Sequence, residues 1–398
     1  MRWNELRYSR RGLPQGTMGW PVVGDTIEFL RRVRSLFTSH LLGSPTVMSM
    51  DLEVKRGILM NEARGLVPGY RQAMTELLGE WNVVAGKMLS VIGPVAVRER
   101  LFPTLDEFIG SRLCSWGGDG ATMDVQEKAR EMIFSSALKL ISGIETGETA
   151  AELKAEFFKL ARKTITSLLR DLIEERRSPF APNGGGDILS LLLREEEEGE
   201  EEQEVHRTRP NLTDDQMIDL LIAIMYTGFE TVSGTVSMAV NYLHDHPSAF
   251  QELWEYSEIR QRKSSPDEAL TWGEYTSISF TRAVILETMR LATIINGLMR
   301  KTTEDIPING FVVPKGWKIQ VYIRESNYDS VRYPAPLFFD PWRWKDRSLE
   351  NHQHFMVFGC GGRLCPGKEL SLEAEGDEIV YFPRVEAPRG LHIRVWTN

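Results

Sequence analysis

Cysteine is scarce in this 398-residue chain: Cys114, Cys360 and Cys365 are the only three. Three cannot build a disulfide framework, and the odd count leaves a thiol over, which points to a reducing compartment. Long apolar runs are missing as well. No charge-free stretch reaches the roughly 18 residues of a membrane span. The start, MRWNELRYSRRGLPQG, carries arginines but no apolar core of signal-peptide length, so the sequence as written reads as neither secreted nor membrane-spanning. Basic residues are not in excess: 47 Lys and Arg face 56 Asp and Glu, for a net charge of −9, and nothing suggests nucleic-acid binding. The run EEEEGEEEQE, Glu195 to Glu204, supplies nearly all of that imbalance. There is no internal repeat, and no G-x-G-x-x-G in a βαβ setting to hold a flavin or nicotinamide.

What is present is apolar bulk, 42% of residues, enough for a large core or two subdomains. The coarse reading is mainly α with a small β annex. Helical spacing is expected over Ile27 to Arg34, Met74 to Glu80, Thr104 to Leu113 and, without interruption, Ala150 to Glu175. A linker, SPFAPNGGGD, and the glutamate run as a solvated loop fill 178–210, with one brief helix between them. Strands are expected around Thr46 to Asp51, in DIPINGFVVPKGWKIQVYI with turns at Asn309-Gly310 and Pro314-Lys315-Gly316, and in EIVYFPRV and LHIRVW near the end.

The longest element starts at Thr213, an N-cap with Gln216 three positions on, and its apolar pattern continues to His244 before Pro247. It is apolar on nearly every side, so it should be central and buried. Its middle, MYTGFETVSGT, breaks the local rules: Gly228, Glu230, Thr231, Ser233 and Gly234 stand where a buried helix wants strong formers. Either function or a structural bend made by hydroxyls bonding back into the helix would explain this. Glu287 and Arg290 in ETMR are an i, i+3 pair, which on an ordinary helix surface is decoration.

The stretch FMVFGCGGRLCPGKEL concentrates glycine around two cysteines, as in a loop shaped around an object. His352, His354, Cys360 and Cys365 could form a tetrahedral zinc site, although their H-x-H and C-x4-C spacings match no common finger or ribbon. Alternatively, Cys365 alone could bind haem iron as a thiolate softened by backbone N–H groups. Gly361 would then let the backbone approach, Phe358 would shield the sulfur, and Arg363 would pair with a haem propionate. An ordinary glycine-rich turn is the plain alternative.

F-G-C-G-G-R-L-C-P-G fits the F-x-x-G-x-R-x-C-x-G signature of the cytochrome P450 family, Gly367 filling its last position. The chain resembles that family in order too: TGFET in the long helix, ETMR, DPWRW, then the cysteine loop. The resemblance implies a single P450 domain over 1–398, with an entry segment at 1–24 and a haem-binding core at 213–398. It implies haem b, iron protoporphyrin IX, on Cys365. Glu287, Arg290 and Arg343 would form a buried ion-pair network, and Thr231 and Glu230 would hold and feed protons to bound dioxygen beside a bulge at Gly228. Electrons would come from an NADPH-cytochrome P450 reductase. Segments such as LHDHPSA, RLCPGKEL and FPRVEAPRGLH look like the plant brassinosteroid-6-oxidases, which act on C-6 of 6-deoxo steroids, so a steroid-like substrate is expected.

The chain also departs from the family. The membrane-anchor helix, which would place the protein on the cytosolic face of the endoplasmic reticulum, does not precede the basic start. Ala85 stands where an early helix of the family offers a propionate-binding arginine after Trp81, and Thr227 replaces a small residue before Gly228. Most of the segment after EFFKLARK that roofs the substrate cavity is missing, and little helix follows Cys365. The expectation is a haem-thiolate monooxygenase with some peripheral helices shortened. Its rivals are an impaired haem-binding remnant and a zinc-stabilised interaction protein.

Overall fold

Local signals account for most of the elements. The computed structural model describes residues 13–14, 36–41, 44–61, 64–70, 91–114, 122–144, 147–159, 162–178, 187–201, 212–263, 268, 270–368, 380–381, 385–386 and 392–394. The backbone divides into two compact units. One comprises Met1–Arg71 and Leu286–Cys365, the other Gln72–Ile285 and Pro366–Asn398. The expected helices at 27–34 and 74–80, Trp81, Ala85 and the segment after Lys368 that was expected to be helical lie outside the described residues.

The first unit is built on a five-stranded sheet in the order Leu36–Leu41, Ser44–Ser49, Lys318–Tyr322, Gly297–Thr302, Leu66–Pro68. The second and third strands run parallel, with Val47 opposite Ile319 and Ser49 opposite Val321, and the other pairings are antiparallel. Val47, Ile319 and Val321 are fully buried together with Leu59 from the helix Leu52–Met60. Each such side chain contributes about 1.5–3 kcal/mol of burial. That helix begins at Asp51, whose carboxylate accepts from the backbone N–H of Glu53 and Val54 at 3.1 and 3.0 Å. The strand expected to reach Asp51 therefore stops at Ser49. The Asn309-Gly310 turn forms as read: both residues have positive φ, 48° and 79°, and join Ile306–Ile308 to Phe311–Val313.

The second unit is helical. Its longest helix, Asp214–Asp245, has 32 residues, about 48 Å at 1.5 Å each. The capping box is present, with Gln216 N–H donating to Thr213 Oγ1 and Thr213 N–H donating to Gln216 Oε1. Six consecutive residues, Leu220 to Met225, are buried, so no side of the helix there faces water. Among the described residues it is the only helix long and apolar enough to cross a membrane; its burial marks it as a core helix. It packs against Val125–Ser142.

Two expectations change here. The helix read across Ala150 to Glu175 is two helices, Glu148–Phe158 and Arg162–Arg177. Apolar spacing persists through both, since Leu153, Phe157, Ile165 and Leu169 are all buried, so periodicity alone could not show the break. The glutamate run is not wholly a loop: Ile188–Glu201 is one helix, because glutamate and leucine are good helix formers once a buried start at Ile188 and Leu189 anchors them. Near the chain end, Val380–Tyr381 pairs with Val385–Glu386, and His392–Arg394 pairs with Thr122–Asp124.

Candidate haem-thiolate site

The ETMR pair is no surface decoration. Glu287 and Arg290 are both 0% exposed. Helix Ser279–Ala292 presents them on one face, and the Glu287 carboxylate gathers five donors. Its Oε1 accepts from Arg290 Nη2 at 2.7 Å, the Asp340 backbone N–H at 3.0 Å and Arg343 Nε at 3.1 Å. Its Oε2 accepts from Arg290 Nε and Trp344 Nε1, each at 2.9 Å. Arg290 spends its remaining N–H groups on the carbonyls of Asn327 and Pro336, both at 2.7 Å, and of Phe338 at 3.4 Å. Its guanidinium also lies 5.1 Å from the Tyr333 ring centroid. Burial pushes the Tyr333 phenol up to about 12, against the pull of Arg290. A buried ion pair tolerates the loss of water only when the remaining donors and lone pairs are matched, and here they are. The node thus pins the helix to the 327–344 segment, which leads into the cysteine loop.

In that loop the backbone N–H of Cys365 donates to the carbonyl of Phe358 at 2.8 Å, closing 358–365 into a ring. Phe358 is buried, at 7% exposed. Gly359 and Gly361 have φ of 74° and 71°, the left-handed region that side chains disfavour. A Cβ on Gly361 would stand 2.8 Å from the Leu59 carbonyl. The sequence assigned this glycine to approach by a porphyrin; in the fold it also lets the loop lie against the end of helix Leu52–Met60. Arg363 ends a 3-10 turn, Gly361–Arg363, half-buried. Gly367 lies in the following turn.

The two thiols differ. Cys360 packs against the apolar cluster under the sheet, and burial pushes its pKa up despite opposing fields from Arg300 and Arg56. A thiol kept protonated in this way is a poor ligand, because the metal binds the thiolate. Cys365, like Cys360, is half-buried and in no disulfide, and its backbone N–H closes the ring. The four residues of the zinc alternative do not assemble: among the described residues no group of three or more His, Cys, Asp or Glu could hold a metal. His354 instead turns to Glu53, with Nε2 3.4 Å from its carboxylate. Sequence reasoning missed Arg300, a guanidinium 1% exposed on strand Gly297–Thr302 whose field reaches Cys360. Only its neighbourhood reveals it, since an arginine in a β-strand carries no motif.

On the central helix the back-bonding alternative is realised. Thr231 Oγ1 donates to the Thr227 carbonyl at 2.7 Å, Thr227 Oγ1 to Ala223 at 2.6 Å and Ser233 Oγ to Phe229 at 2.6 Å. The helix is α-helical through Gly228, so the expected bulge does not interrupt it. A Cβ built on Gly228 would meet no atom within 4 Å, which leaves open space at that turn. Glu230 and Thr231 are half-buried.

A closed, glycine-turned loop that carries Cys365 two residues after Arg363, preceded in the chain by a buried Glu287–Arg290–Arg343 node, fits the class of haem-thiolate proteins. The comparisons agree. The family model described as Cytochrome P450 matches residues 151–373. Cytochrome P450 85A1 of Solanum lycopersicum is 47% identical over 455 aligned positions, covering 99% of this chain and 95% of its own length. Cytochrome P450 85A2 of Arabidopsis thaliana is 42% identical over 99% and 95% of the two chains. The solved structure of retinoic acid-bound cyanobacterial CYP120A1 shares the fold, with a TM-score of 0.73 at 21% identity over 90% of this chain and 89% of its own. The chain belongs to the cytochrome P450 family. It is a monooxygenase by that membership, binding haem b and working with dioxygen and a redox partner. An alignment of 455 positions against 398 residues also carries the internal shortening read from the sequence.

Proposed function

We propose that this chain oxidises C-6 of a 6-deoxo brassinosteroid, and that the Cys365 thiolate would hold haem b. The observation that carries the ligand assignment is the loop closed by the Cys365 N–H bond to the Phe358 carbonyl, with the other loop thiol, Cys360, packed against the apolar cluster under the sheet. Bound there, haem supplies dioxygen activation and the oxidising equivalent for C–H hydroxylation. The chain's own residues do the rest. Arg363 and the buried Arg300 are the guanidinium groups that would pair with the two acidic arms of the macrocycle. Phe358 and the backbone around Gly361 keep water from the sulfur. Thr231 holds a proton on Oγ1, shared with the Thr227 carbonyl in this state, and Glu230 resupplies it.

The substrate class follows from the resemblance to brassinosteroid-6-oxidases. The electron donor is an NADPH-cytochrome P450 reductase, and the location is the cytosolic face of the endoplasmic reticulum membrane. The internal shortening favours one second reading, a haem-binding chain with impaired turnover. Reduced protein with carbon monoxide tests the core of the proposal. A strongly red-shifted Soret band is expected in the unsubstituted protein and in Cys360→Ala, and its loss in Cys365→Ala; the opposite pattern refutes the assignment. Product from a 6-deoxo steroid with reductase separates full function from the impaired reading.

A further inference from the structure

The helix Leu52–Met60 holds on to both parts of the machinery in its unit. Lys55 is 0% exposed, and its Nζ donates to Ser326 Oγ at 3.1 Å. Ser326 sits in the short helix Arg324–Asn327, itself fully buried, and the next carbonyl, Asn327 O, is the one that accepts from Arg290 Nη1 at 2.7 Å. Asn327 Nδ2 in turn donates to Thr293 Oγ1 at 3.1 Å, at the end of the helix that carries Glu287 and Arg290. One turn beyond Lys55, the Leu59 carbonyl lies against Gly361 of the cysteine loop. At the other end of the same helix, Glu53 meets His354 at 3.4 Å, just ahead of that loop. His354 is 2% exposed, and its Nδ1 is buried without a hydrogen-bond partner.

Packing does not explain an amine at position 55. Ile58 and Leu59 supply the apolar face of the helix, and a methionine would fill a similar volume with no charge to desolvate. Burial pulls the Lys55 pKa down to about 8, against the fields of Glu325 and Asp51, so the ammonium is held at a cost. What the amine provides, and an apolar chain cannot, is a directed bond to the segment that also anchors Arg290.

We infer that Lys55 is a positioning residue, tying the cysteine loop to the Glu287–Arg290 node through helix Leu52–Met60. The geometry stands without haem, while the consequence for haem retention rests on the haem-thiolate reading.

Hydrogen–deuterium exchange of the full chain, without haem and then loaded, tests this. Lys55→Met should speed amide exchange over 356–365 roughly fivefold, about one lost hydrogen bond, while amides of the helix Asp214–Asp245 stay within about twofold. Lys55→Gln, which keeps an N–H donor, should recover most of the protection. Ser326→Ala removes the acceptor and leaves the lysine, and should give the same local rise. Unchanged loop exchange in Lys55→Met or in Ser326→Ala overturns the inference, and so does a uniform rise in both segments. In loaded protein, the variants that free the loop should lose the red-shifted carbon monoxide band severalfold faster. A loop response with no such band in any protein, the unsubstituted chain included, upholds the tether and overturns the haem reading instead.

Discussion

Glu287→Gln is nearly isosteric, yet it should be among the most damaging single changes to the first unit. The carboxylate accepts from five donors, three at Oε1 and two at Oε2. A glutamine places its carbonyl at one of these positions and an NH2 group at the other. Its better orientation keeps the three donors at Oε1. It then turns two N–H groups toward the N–H groups of Arg290 Nε and Trp344 Nε1. Two lost hydrogen bonds to a charged group are worth about 1.5–3 kcal/mol each. The Arg290 side chain, 0% exposed, also loses its counter-charge, while Arg343 keeps only Asp340 at 3.7 Å. Breaking a buried pair in this way costs about 3–5 kcal/mol, a large share of the 5–15 kcal/mol that holds a domain folded. Trp344→Phe removes one donor and leaves four, for about 1–2 kcal/mol. Urea unfolding followed by tryptophan fluorescence measures both. A cost below about 1 kcal/mol for Glu287→Gln, or a larger one for Trp344→Phe, would refute the reasoning. Replacing Glu287 and Arg290 together by Leu and Met should cost less than the two single changes summed, because neither charge is then stranded.

Four further outcomes can be measured. The folded-state pKa of Lys55 lies below its unfolded value of 10.5, so the protonated amine weakens the fold at neutral pH and the penalty fades as pH rises from about 8 toward 10.5. Relative to the unsubstituted chain, Lys55→Met should therefore fare better at pH 7 than near pH 10 in urea titrations at the two pH values, because the desolvation penalty it removes is largest where the amine is protonated. Burial and the Arg332 field lower the His354 pKa, so the unfolded chain takes up that proton first; unfolding midpoints should fall as pH drops below 6.5, and His354→Gln should flatten the dependence. Gly361→Ala forces a Cβ against the Leu59 carbonyl at positive φ, and should cost about 1–3 kcal/mol and shorten haem retention in a transfer assay to apomyoglobin. Thr231→Ala loses only a back-bond within its helix, so its unfolding midpoint should barely move, while peroxide release per reductant consumed rises if the hydroxyl manages protons.

Several elements were legible because their signals are local. The capping box at Thr213, the Asn309-Gly310 turn and the buried all-round apolarity of helix Asp214–Asp245 each lie within a few residues of chain, where sterics and hydrogen bonding decide the outcome directly. The break between Glu148–Phe158 and Arg162–Arg177 was not legible, because the apolar spacing runs on across it. The ETMR pair shows the limit from the other side: its i, i+3 spacing is the same on a wet surface and in a core. The Asp340 and Trp344 donors, more than fifty residues away, make it a buried node.

The sequence alone thus determined the long helix, the hairpin turn and the motif order that marks the family, since these depend on neighbours along the chain. Tertiary structure decided that Cys360 packs against the apolar cluster under the sheet. It also decided that Arg300 and Lys55 are buried cations rather than surface charges. Burial and electric field are set by groups brought together from distant parts of the chain, and they fix whether a side chain keeps its charge and what it can bind.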